Sequence, residues 1–366
     1  MRSIQVVNVR WFNATAWYGM YLSRLLLENG HDVLVLGLPD TLSARKGEEW
    51  GLPMRLMDLN TTTPWGIAAL YGKLKGLVRE FGPDVVNCHR GESYLLWGLL
   101  KKELGSFKLI RTRGDQRLPK PNRINRWLHN DVSDAIITTN SPMTRHFQDV
   151  FKVPQGKLHQ ILGGVDTGTF HPDPGARARI RTEHGYSDQD FVVGLLGRFD
   201  QVKGQHELIR AVARLHREGM TGIRLLLLGF DSATPESTVR GWITEHGIGS
   251  ITAITGKRPD IAACLNALDL GVVASLWSET IARAALEIMA TGVPLISTDV
   301  GVMPDLLEPQ ALLGAGDVDA LADRIRQVMA RPELAASLCR EQRLRMADLC
   351  GHDFLAKTLA VYEGVR

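Results

Sequence analysis

Two doubly wound α/β domains are the fold class that this 366-residue sequence predicts. Three observations carry the expectation. Short apolar runs alternate with helical patterns from Ile4 onward, and such alternation implies parallel sheets with helices on both faces. A Gly- and Pro-dense stretch at 163–175 breaks the pattern once, and a second α/β set begins after it. The length exceeds the roughly 100–200 residues of one domain and suits two. The domains read as 1–167 and 168–350, facing one cleft, with a C-terminal helix at 351–366 packing back on the first.

The first half opens with a buried strand at 4–9, a loop at 11–17, and a helix with Tyr18, Leu22, Leu25 and Leu26 at helical spacing. Gly30-His31 ends that helix, and 32–36 is the next strand. A long helix at 65–81 leads through Gly82-Pro83 to a strand at 84–88, with His89-Arg90-Gly91-Glu92 directly beyond its carboxyl end. Further strands are expected at 108–111 and 135–139. In the second half, a strand at 191–196 runs through Gly197-Arg198 and Lys203-Gly204 into a helix at 205–217. Strands follow at 223–228, 251–255, 270–274 and 295–298, and helices at 260–267, 317–331 and 332–350. Between the strands at 270–274 and 295–298 lie Glu279 and Glu287, eight positions apart and flanking a helix entrance. Ligands of doubly wound folds bind at the carboxyl ends of strands beside helix N-termini, and two carboxylates there suit a neutral, hydroxyl-rich group.

Apolar content of 44% and charged content of 23% are those of a soluble globular protein. No apolar run approaches the roughly 18 residues of a membrane span, and a strand by Ile4 leaves no room for a signal peptide. Cys88, Cys264, Cys339 and Cys350 show neither CxxC nor zinc spacing, so reduced thiols and a cytoplasmic location are expected. The net charge of +3 hides a basic first half and an acidic second half. Arg111, Arg113, Arg117, Lys120, Arg123 and Arg126 stand with a single acid, Asp115. Such a cluster suits a solvated face, a phosphorylated acceptor or an anionic membrane surface. Nucleic acid is not expected, because no binding module accompanies it. Asp188-Gln189-Asp190 lies in a polar connection before a strand, and no metal site is expected from it. Gly256-Lys257 lacks the remaining residues of a P-loop.

The order of motifs along nearly the whole chain resembles the family-4 glycosyltransferases. The motifs are Gly30-His31-Asp32-Val33, Asp84-Val85-Val86-Asn87-Cys88-His89, and Gly163-Gly164-Val165-Asp166 with Phe170 and Pro172. Gly197-Arg198, Lys203-Gly204, the spaced Glu279 and Glu287, and Met289-Ala290-Thr291-Gly292-Val293-Pro294 complete the series. The resemblance implies the GT-B fold of two Rossmann-like domains and transfer with retention of anomeric configuration. It implies a nucleotide-diphosphate sugar as donor, a saccharide or lipid-linked saccharide as acceptor, and no cofactor or metal.

The resemblance also implies roles residue by residue. Arg198 and Lys203, beside Gly197, match the pair that holds the diphosphate, where two cations stabilise developing negative charge. Glu279 matches the acceptor of donor-sugar hydroxyl bonds, and Glu287 the ligand of the ribose diol, although Arg283 stands four residues earlier and offers it a simple ion pair. His89 matches a cleft histidine, against the plainer reading of a buried structural one. Lys257 and Arg258 are the candidates near the base. The chain departs from the family in its first loop, where Asn13 and Thr15 are expected to supply side-chain hydrogen bonds in place of two glycines. It departs again after Glu279, where Thr280-Ile281-Ala282 replaces Gly-Phe-Gly and is expected to offer backbone amides to the pyrophosphate.

The segment 110–128 further resembles bacterial members acting on lipopolysaccharide core or related cell-surface glycans. That adds an expected peripheral position at the inner face of the cytoplasmic membrane, reached through the basic cluster around Trp127. The alternatives are a nucleotide-sugar epimerase of the same fold and a non-catalytic sugar-nucleotide-binding subunit. Neither 8–19 nor 194–204 forms GxGxxG, which disfavours a dehydrogenase.

Overall fold

The computed structural model describes residues 1–364. The chain divides into two compact units, one of residues 1–163 with the segment from Gly351, the other of residues 164–350. Unit 1 holds β1 (Arg2–Val7), β2 (Asp32–Gly37), β3 (Met54–Leu56), β4 (Val85–Cys88), β5 (Lys108–Arg113), β6 (Ala135–Thr138) and β7 (Leu158–Gln160). Unit 2 holds β8 (Phe191–Leu196), β9 (Ile223–Leu228), β10 (Thr252–Ile254), β11 (Leu270–Val273), β12 (Leu295–Thr298) and β13 (Leu312–Leu313). All pairings are parallel, in the orders β3-β2-β1-β4-β5-β6-β7 and β10-β9-β8-β11-β12-β13. Each unit is thus a doubly wound sheet with surrounding helices, as the alternation predicted.

The strand order of each sheet reverses once, between β1 and β4 in unit 1 and between β8 and β11 in unit 2. Loops leaving adjacent strands at such a point diverge to opposite faces and open a crevice at the carboxyl ends. The central strands were readable because both of their faces are covered. β4, β6, β11 and β12 are buried at every position, so they appear in sequence as runs of apolar or small residues, broken by Asn87 in β4. β3, β7 and β13 were not anticipated. They are edge strands of two or three residues, too short to show a period.

Two helices place the features that matter below. Gln205–Arg217 buries Leu208, Ile209, Val212 and Leu215, each worth about 1.5–3 kcal/mol of apolar burial, and so fixes the turn that precedes it. Gly351–Gly364 returns the chain to unit 1, where Phe354 packs edge-on against Tyr18 at 4.7 Å and the Tyr362 hydroxyl accepts from Asn87 Nδ2 at 2.7 Å.

Candidate active site

Lys203 and Glu279 meet at the switch point of unit 2. Lys203 ends the short turn Gln201–Lys203 that leaves β8, and Glu279 lies in the loop that leaves β11. The two loops are joined by the backbone bond from Leu276 N to Val202 O at 2.9 Å. Glu279 is 7% exposed, and one carboxylate oxygen accepts from both the Lys203 ammonium and Ser275 Oγ, the latter at 2.6 Å. Ser275 is held in turn by Thr298 Oγ1, which donates to its carbonyl at 2.6 Å.

Two glycines make this packing possible. Gly204, at φ +68°, has room for no side chain, since a Cβ there would fall 1.9 Å from the Ala274 carbonyl oxygen. Gly301, at φ +64°, passes equally close to the Glu279 carbonyl, which accepts from Val302 N at 2.8 Å. Ser275, Thr298 and Gly301 were not singled out from sequence. Their signal was weak, a hydroxyl four residues before Glu279 and a glycine after the next strand.

Arg198 follows Gly197 at the end of β8 and stays about half exposed. Its guanidinium contacts Asp200 Oδ2 at 2.7 Å and donates to Ser232 Oγ at 3.2 Å. Asp200 also caps the turn by accepting from Val202 N at 3.2 Å, so the cation is tethered to the element that carries Lys203. Lys257 is exposed, with its ammonium 4.7 Å above the Phe230 ring. Arg258, expected beside it, is committed elsewhere. It pairs with Glu183 and with Asp260, the latter at 2.8 Å, and so works as a structural tie.

The helix carrying Glu287 begins at Arg283, leaving Glu279 in the preceding loop and Glu287 one turn in. Ile281 and Ala282 are buried, so this stretch turns its side chains inward. Ala282 caps the helix at φ +52°, a left-handed conformation that glycine adopts freely and that costs an L-residue about 1–2 kcal/mol. Thr280 is partly buried beside it. Glu287 is 3% exposed and pairs with Arg283; burial raises its pKa, against the pull of that arginine.

Unit 1 gives three expected site residues partners within the fold at its own switch point. Asn13 caps the helix Ala14–Glu28, its side-chain oxygen accepting from Ala16 N at 3.0 Å. Thr15 is buried and donates to the Gly114 carbonyl at 3.3 Å. Both groups are thus used within the fold. His89 is 1% exposed and shares a proton between Nε2 and Gln5 Oε1 at 2.9 Å. Gln5 belongs to a buried network with Ser3, Tyr362 and Asn87, and Asn87 accepts from Thr112 Oγ1 at 2.9 Å. Because Gln5 Oε1 is an acceptor, Nε2 carries the proton. Burial first, and the nearby Arg111 second, push the His89 pKa down to about 3. His89 is a neutral structural histidine.

The basic cluster also divides. Arg111 is 1% exposed and Arg113 11% in its side chain, so neither can reach a membrane surface. Arg117, Lys120, Arg123 and Arg126 are exposed, together with Leu118 and Ile124. Among the described residues no helix is long and apolar enough to cross a membrane.

His89 carries a pH dependence whose sign follows from its shift. An unfolded histidine titrates near 6.5 and the folded one near 3, so below about pH 6.5 the unfolded state takes up a proton that the folded state refuses. Stability is therefore full above that pH and falls as the pH drops towards 3, with His129, also lowered to about 3 by burial, adding to the slope. Denaturant titrations at pH 7 and pH 5 should show the loss, and His89→Gln should reduce it. An unchanged slope in the variant would remove His89 from this account.

Comparison with known proteins fits the geometry. Residues 16–169 match the family model "Glycosyltransferase Family 4" and residues 176–345 match "Glycosyl transferases group 1". A GDP-mannose-dependent alpha-(1-6)-phosphatidylinositol monomannoside mannosyltransferase of Mycolicibacterium smegmatis is 27% identical over 283 residues, covering 73% of this chain and 72% of its own. A glycosyltransferase structure from Rickettsia africae superposes with a TM-score of 0.89 at 17% identity, covering 100% of this chain and 98% of that one. Anabaena HepE in complex with UDP and glucose gives 0.82 at 19% identity, covering 98% and 99%. With the two models matching in order, one on each doubly wound unit, the chain belongs to the family-4 glycosyltransferases of GT-B fold and is a glycosyltransferase.

Proposed function

We propose that the protein transfers a sugar from a nucleotide-diphosphate sugar to a hydroxyl of a cell-surface glycan or glycolipid, of the lipopolysaccharide or polysaccharide type, with retention at the anomeric carbon. The observation that carries this reading is the pairing of Lys203 with the buried Glu279 at the β8/β11 switch point, with the half-exposed Arg198 on the same turn. Two cations at a strand end suit a leaving diphosphate, and a fixed carboxylate beside them suits sugar hydroxyls. HepE, solved with UDP and glucose, and the mannosyltransferase named for GDP-mannose support a nucleotide-sugar donor.

In this reading Arg198 and Lys203 take the charge that grows on the diphosphate as the bond from the anomeric carbon to its oxygen breaks. The acceptor oxygen bonds to the same face of that carbon, and its proton passes to the departing diphosphate. Glu279 holds donor-sugar hydroxyls and Glu287 the ribose diol, with Lys257 near the base and the backbone of Thr280, Ile281 and Ala282 near the phosphates. The cationic pair serves where a metal otherwise would.

Incubation with UDP-, GDP- and ADP-hexoses tests this directly. One donor should bind and be slowly hydrolysed with retained configuration, insensitively to EDTA, and Arg198→Ala should lower that rate by at least about tenfold. Binding of none of the three, or an inverted product, would contradict it. Peripheral membrane contact through Arg117, Lys120, Arg123 and Arg126, with Leu118 and Ile124 between them, belongs to the same proposal. Liposome sedimentation should show pelleting with anionic vesicles at low salt and release at high salt; pelleting with neither composition would remove the membrane from the reading.

A further inference from the structure

We propose that Arg90, Arg111 and Arg113 form a receptor for an oxyanion, a phosphate ester carried by the acceptor. Its assignment to an acceptor rests on the glycosyl-transfer reading above. The three arginines lie at the carboxyl ends of neighbouring strands, Arg90 just beyond β4 and the other two closing β5, with Arg111 in register with Cys88. Two positions apart on one strand, Arg111 and Arg113 project to the same face. One carboxylate, Asp115, reaches all three, at 3.9 Å from Arg90, 3.7 Å from Arg111 and 3.1 Å from Arg113. Glu92 binds Arg90 through a two-pronged contact at 2.8 and 3.2 Å.

Three guanidinium groups against two carboxylates leave a positive charge uncompensated in a largely buried place. The nearby histidines do not change this balance, since His89 and His129 are both held neutral, and Arg113 itself is pushed down to about 10 by burial and by Arg111. Donors are left over as well. Arg111 Nη2 and Arg113 Nε are buried and have no hydrogen-bond partner. Leaving a buried charged donor without a hydrogen bond is costly, and a net positive charge beside it adds to that cost.

The arginines are also held in place before any ligand arrives. Arg111 Nη1 donates to the carbonyls of Cys88 at 2.5 Å and Thr112 at 2.6 Å, its guanidinium 5.4 Å from the Tyr94 ring centre, and Arg113 Nη2 donates to the Arg117 carbonyl at 2.7 Å. Arg90 is the most open of the three, its side chain 35% exposed against 11% for Arg113 and 1% for Arg111. A phosphate ester supplies both the missing charge and several oxygens for planar forks, whereas a neutral hydroxyl supplies only acceptors.

Calorimetric titration with inorganic phosphate tests the site in the full-length Arg198→Ala/Lys203→Ala chain, in which the diphosphate pair is removed. No nucleotide sugar is present, so a failure of donor binding leaves the result readable. Saturable binding is expected, weakened at least about tenfold by Arg90→Gln or Arg113→Gln and unchanged by Lys102→Gln, an exposed cation elsewhere in the unit. Arg113→Lys, which keeps the charge without the fork, should bind with intermediate affinity and guards against loss of fold. Glucose 6-phosphate and dihexanoylphosphatidic acid, run as competitors, separate a sugar phosphate from a lipid phosphate. No saturable binding, full binding in both glutamine variants, equal weakening by Lys102→Gln, or displacement by neither ester would overturn the proposal.

Discussion

The loops at the carboxyl ends of β8 and β11 depend on one ion pair, Lys203 with Glu279. Taking the Glu279 carboxylate out of water is costly, and its attraction to the partly exposed Lys203 offsets this only with good geometry and further hydrogen bonds. The surrounding chain supplies both. Ser275 binds the same oxygen, Thr298 holds Ser275, and Gly204 and Gly301 let two loops approach to distances that no side chain would permit. A charged pair so built is weak evidence for stability and better evidence for a fixed arrangement of charge. Fixed charge is what transfer from a diphosphate requires, because a preorganised cation need not reorient as the bond breaks.

The first unit uses the same topological position differently. Its switch-point residues are drawn into the fold: Asn13 caps a helix, Thr15 binds a backbone carbonyl, and His89 sits neutral in a network closed by Tyr362. One strand further on, at the end of β5, Arg111 Nη2 and Arg113 Nε are buried cationic donors without a hydrogen-bond partner. The two units share a plan of winding, yet their electrostatics are opposite in kind. Unit 2 fixes a matched pair, and unit 1 gathers more cations than it neutralises.

Much of this was legible in the residues. Parallel strands covered on both faces leave runs such as Leu225-Leu226-Leu227-Leu228, and the two-unit fold follows from their alternation with helices. Arg198, Lys203 and Glu279 can be singled out in the sequence because motif order ties each to the loop after a strand, β8 or β11. His89 was not resolved, because its fate is decided by Gln5 and by Tyr362, and those two are 357 positions apart. No local pattern reports a partner at that distance. In the basic cluster, proximity in sequence hides the difference between a strand and the loop after it. Arg111 and Arg113 belong to β5 and turn inward, while Arg117 to Arg126 lie beyond it.

A double-mutant cycle on Lys203 and Glu279 tests the central claim most directly. Single-turnover rates with the bound donor would be measured for Lys203→Met, Glu279→Gln and the double variant. If the two act as one prearranged unit, either single change should cost nearly as much as both, leaving a coupling energy above about 1 kcal/mol. Strictly additive effects, or single variants that keep the parent rate, would contradict it.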